Sequence, residues 1–83
     1  MSPEACKHAR GLLGWSMQDL ADASQVHKDT IRRFEGGGSV LPRTIANLRA
    51  ALESAGVEFV ETKPIGGVEI HLPEGVIVRL RRG

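Results

Sequence analysis

The chain has 83 residues, enough for one modest hydrophobic core and too few for the two-lobed architecture of most enzymes. With 41% hydrophobic and 25% charged residues, it is neither poor enough in apolar residues for disorder nor rich enough for a membrane span. The N-terminal MSPEACKHAR has no apolar h-region, and no apolar run approaches the ~20 residues that cross a bilayer, so the expectation is a cytoplasmic protein with no membrane partner. The single cysteine, Cys6, cannot close an intramolecular disulfide, and His8, His27 and His71 are not spaced as metal ligands; no metal and no cofactor are expected.

The formal net charge is only +1, but the charges are segregated. Between residues 28 and 49, Lys28, Arg32, Arg33, Arg43 and Arg49 face only Asp29 and Glu35, whereas residues 50 to 75 hold five glutamates against Lys63. Arg79, Arg81 and Arg82 make the end basic again. Segregation of this kind points to an anionic partner on one face.

In chain order, Ser2 is a plausible N-cap and Pro3 suits a first helical turn; Ala5, Cys6, Ala9, Leu12 and Leu13 then recur at helical spacing up to Gly14. Ser16 and Asp19 form a capping-box-like start for a short second helix with Met17, Leu20 and Ala21 apolar, ending near Ala23. After the Ser24-Gln25-Val26 connection, Val26, Thr30, Ile31 and Phe34 define a third helix, closed by Gly36, Gly37 and Gly38. Pro42 opens a fourth, whose Ile45, Leu48, Leu52 and Ala55 share a face, and Gly56 stops it. Beyond Gly56 the period changes from 3.6 to 2, predicting strands over 57–62, 68–72 and 76–81, with Pro73-Glu74-Gly75 as a hairpin loop. The fold class expected is α+β: a four-helix unit over 1–56 followed by a small antiparallel β tail over 57–83.

Two short helices joined by a tight turn, with a small residue in the first and buried aliphatics at the turn and in the second, describe a helix-turn-helix. Leu20, Ala21, Val26, Ile31 and Phe34 occupy those places, so the opposite face of the third helix, with Lys28, Asp29, Arg32 and Arg33, projects outward. Three strings, LGWSMQDLA from Leu13, VHKDTIRRFE from Val26 and PRTIANLRAAL from Pro42, together with Arg10, make the stretch from Arg10 to about Leu52 resemble the phage-repressor and Cro class of regulators, the XRE family. The resemblance covers about half the chain. It implies a transcriptional regulator, and a structural ion pair between Arg10 and Glu35 that ties the third helix to the first. Two positions depart from the family pattern. Met17 stands where many members carry a DNA-contacting glutamine, so that contact is expected to be absent or made by the neighbouring Gln18. Gln25 stands where the turn usually has glycine, at a cost of up to about 1–2 kcal/mol if its backbone is left-handed.

The chemistry expected of the outward face is DNA recognition. Arg32 and Arg33 suit guanine O6 and N7, and Lys28 can reach a base or a phosphate. Asp29 can accept from cytosine N4, hold an arginine in a reading rotamer, or simply favour the helix dipole. Ser16, Gln18, His27 (the expected N-cap of the third helix) and Arg43 are expected at phosphates. Trp15, Cys6 and Met17 read as packing residues, and Gly36–Gly38 lacks the Lys-Ser or Lys-Thr of a P-loop. The expected function is a bacterial or phage repressor, non-enzymatic, binding double-stranded DNA as a homodimer joined through the β tail, whose edges and apolar face (Val68, Ile70, Val76, Val78, Leu80) need cover. An alternative cover is the chain's own fourth helix. The alternative functions are an antitoxin-type module whose tail binds a protein partner, favoured by a neighbouring toxin-like reading frame, and a degenerate scaffold that binds no duplex.

Overall fold

The structure, a computed structural model, describes residues 1–61, 70–71 and 76–81. Four helices, α1 (Pro3–Leu13), α2 (Met17–Ser24), α3 (Lys28–Glu35) and α4 (Pro42–Ser54), precede strands β1 (Val57–Glu61), β2 (Ile70–His71) and β3 (Val76–Leu80). The helix boundaries follow from local chemistry. Ser2 Oγ accepts the Ala5 N–H at 3.0 Å, and Gly14 ends α1 in the left-handed region at φ 68°. Ser16 and Asp19 complete a reciprocal capping box, with Ser16 Oγ accepting from Asp19 N–H at 3.1 Å and Asp19 accepting from Ser16 N–H at 2.9 Å. Gln25 turns the chain out of α2 at φ 61°, the one positive φ outside glycine among the described residues. The left-handed conformation usual for glycine at this turn is therefore kept by Gln25, and its Nε2 offsets part of the strain by donating to the Asp22 carbonyl at 2.9 Å.

The helices close on Leu20, Ile31, Leu48 and Leu52, each fully buried, with Phe34 and Val26 beside them. Ala21 is buried where α2 meets α3. Ile45 and Trp15 are half-buried and pack on this core.

The strands form a small antiparallel sheet of order β1-β3-β2, with Phe59 opposite Val78 and Glu58 opposite Arg79. An apolar strand face that lacks a cover in the bare sequence is covered here from within the chain: β3 lies on α1, and β1 on α1 and α4. Val57 and Val78 are buried in the same core as Ala5, Cys6 and Ala9, whose short side chains give α1 a surface that strands can approach closely. Of the expected face, Leu80 is instead 46% exposed, and Ile77, from the opposite face, is buried. β3 ends at Leu80, one residue short of its predicted bound, and β2 is described over Ile70–His71, where it pairs with β3. Val68, Leu72 and the Pro73–Gly75 loop lie outside the described residues.

Candidate nucleic-acid interface

The expected surface is built on α3. Ile31, Phe34 and Glu35 turn inward, so the 3.6 period places Asp29 and Arg33, four residues apart, along the middle of the opposite face, with Lys28 and Arg32 on one flank and Thr30 on the other. Asp29, Arg32 and Arg33 are exposed and Lys28 is half-buried.

The helix is held at both ends. At its start, His27 is the N-cap: its Nδ1 accepts the Asp29 N–H at 3.1 Å, which leaves Nε2 to carry the proton of the neutral ring. At its end, Glu35 is tied to α1 by a bidentate ion pair, Arg10 Nε donating to Oε2 and Nη2 to Oε1, both at 2.7 Å. The Glu35 side chain is 1% exposed. Arg10 also donates through Nη1 to the Trp15 carbonyl at 3.0 Å, and the Cys6 thiol donates to Glu35 Oε2 at 3.4 Å. The hydrogen bonds it donates to Glu35 hold the Arg10 guanidinium above its ordinary range, and burial, reinforced by the neighbouring carboxylate, pushes the Cys6 thiol up to about 12. The expected Arg10–Glu35 pair is thus in place. Its partners Cys6 and Trp15 carry no sequence signal beyond apolarity.

Among the expected base-reading residues, Arg32 Nη1 donates to Asp29 Oδ1 at 2.9 Å, and Asp29 also stands in the first turn of the helix. The guanidinium of Arg33 and the ammonium of Lys28 have no ion-pair or hydrogen-bond partner among the described residues. Gln18, His27, Lys28 and Asp29 line one cleft along the α2–α3 turn, shared with Asp22. Gln18 Nε2 donates to Asp22 Oδ1 at 2.9 Å, which leaves one amide N–H for another acceptor. Arg33 belongs to a separate hollow with Thr30, Ser39, Val40, Leu41 and Thr44. Ser16 and Arg43 are exposed at the N-terminal ends of α2 and α4; nothing joins them to the α3 residues directly. Among the described residues there is no cluster of three metal-ligating side chains and no helix long and apolar enough to cross a membrane.

No protein-family model matches the chain, and no curated protein matches its sequence.

Proposed function

We propose that the protein is a sequence-specific DNA-binding transcriptional regulator of the helix-turn-helix class, a non-enzymatic cytoplasmic repressor that reads the major groove with α3. The observation that carries this reading is the outward face of α3: two arginines and a lysine on a helix whose ends are fixed by the His27 cap and by the bidentate Arg10–Glu35 pair. A rigid helix with forked cationic side chains matches base edges, because bidentate contact tolerates little displacement. Arg32, Arg33, Lys28 and Asp29 are the base-reading set; Ser16, Gln18, His27 and Arg43 supply phosphate contacts around it, His27 through its outward Nε2–H.

One helix reads only a few base pairs, so the functional unit is a homodimer that sets two copies about 34–36 Å apart on the duplex. With β1 and β3 packed on α1 and α4, what the tail offers a second copy is the outer edges of the sheet, those of β1 and β2, against which no further strand pairs among the described residues.

Selection of the full chain on random duplexes tests the reading. A two-fold symmetric consensus is expected, and Arg33→Ala should cost about 1–3 kcal/mol of specific binding and relax one base position in each half-site. Unchanged preference in both Arg32→Ala and Arg33→Ala variants would refute the assignment of this face.

A further inference from the structure

Arg32 and Arg33 are adjacent in sequence but positioned by different means. Arg32 is drawn along the helix by its 2.9 Å ion pair with Asp29. Arg33 has no such partner among the described residues, so whatever directs its guanidinium must act on the aliphatic stem. That stem lies against the turn that follows α3. Gly38 N–H donates to the Arg33 carbonyl at 2.8 Å, bringing the chain back over the residue it has just left. A Cβ built on Gly38 would stand 2.6 Å from Arg33 Cγ, 3.0 Å from its carbonyl oxygen and 3.5 Å from Cδ.

The neighbouring glycines separate two reasons for having glycine here. Gly37 has φ 91° and open space where a Cβ would go, so it serves the backbone. Gly38 has no positive φ, and its missing side chain leaves the space that Arg33 Cγ fills. We propose that Gly38 is the positioning residue for Arg33: its bare Cα forms one wall of the channel that sets the arginine's rotamer and thereby determines one base preference of α3. The inference rests on the reading of α3 as the DNA-contacting helix and names a determinant of specificity outside it. An alanine at 38 forces Cγ into another staggered well, and a change at the first side-chain torsion carries the guanidinium, several bonds further out, away from its base.

The test compares full-length wild type, Gly38→Ala, Gly37→Ala, Arg33→Ala and the Gly38→Ala/Arg33→Ala double variant on the selected duplex and on its single-base variants. The readout is the ratio of affinities for preferred and altered base pairs, which is independent of the fraction of chain folded. Gly38→Ala should lose about tenfold of that ratio or more, at the same base pair as Arg33→Ala and at no other. In the double variant, where residue 33 has no Cγ, the second substitution should add nothing to the loss. Gly37→Ala should lower stability and leave the ratio intact. Wild-type discrimination in Gly38→Ala, or additive losses in the double variant, would overturn the proposal while leaving α3 as the reader. Loss of no preference in Arg33→Ala would overturn the proposal, and the same result in Arg32→Ala as well would overturn the reading beneath it. Should Gly38→Ala fail to fold, nuclear Overhauser contacts between Gly38 Hα and Arg33 Hγ in the wild-type protein decide the matter: they persist in the duplex complex if Gly38 holds the reading rotamer, and their loss on binding refutes it.

Discussion

Cys6 is buried in the contact between α1, α3 and the sheet, and its thiol donates to a carboxylate already held by an arginine. Its ionised form is disfavoured on two counts, loss of water and proximity to Glu35. Because the folded value is raised to about 12 from an ordinary 9.0, the unfolded thiol loses its proton first as pH climbs. The thiol's contribution to stability is complete below about 9 and drains away between there and about 12. Relative to Cys6→Ala, the wild-type protein should therefore lose roughly 2 kcal/mol of unfolding free energy between pH 8 and about 10.5, at a limiting slope of about 1.4 kcal/mol per pH unit. Urea titrations of both proteins at the two pH values measure this, and parallel curves would show that the thiol ionises without opening the core.

At the scale of elements, the position of α3 depends on one pair that reaches across 25 residues of sequence. Deleting Arg10 leaves the Glu35 carboxylate in a site of 1% exposure without its cation. Breaking a buried pair from one side costs about 3–5 kcal/mol, most of it the uncompensated charge. Arg10→Ala should lose stability on that order by urea unfolding, and a second substitution, Glu35→Gln, should recover part of it. A cost under about 1 kcal/mol would mean that solvent reaches the carboxylate and that the pair does not fix the helix. The α2–α3 turn is held more locally: Ser24 Oγ donates to the Leu20 carbonyl at 2.6 Å and accepts from Val26 N–H at 3.2 Å, which seats Val26 in the core despite the left-handed glutamine before it.

For the whole molecule, helices and strands depend on one core. Val57 is fully buried and Val78 is 2% exposed, both in the cluster that holds Ala5, Cys6 and Ala9. Burial of each valine side chain contributes about 1.5–3 kcal/mol, a large share of the 5 kcal/mol or so that a small domain has in total. A chain ending at Gly56 should therefore lose its cooperative thermal transition and its near-ultraviolet circular dichroism from Trp15. A fragment that melts cooperatively would show that the four helices close without the sheet. Loss of dimerisation on such a truncation would accordingly report unfolding rather than a removed interface.

The helix ends, the inward and outward faces of α3 and the change from helix to strand after Gly56 were legible in the residues themselves, whereas a left-handed Gln25 was conditional on the resemblance. The first three rest on interactions within a few residues: a cap, a turn, a repeat of 3.6 or 2. The Arg10–Glu35 pair was legible through a family resemblance, since nothing local requires it. Only the packed chain shows that the strands lie on α1 as well as on α4, that Ile77 is buried and Leu80 exposed, and that Arg33 Cγ occupies the space a Cβ on Gly38 would need; the Asp29–Arg32 pair, three residues apart on one helix, was one of three roles the residues left open. Periodicity tells which residues share a face but not what that face meets, and a three-glycine run reads only as the end of a helix until the side chain lying over its last member is seen.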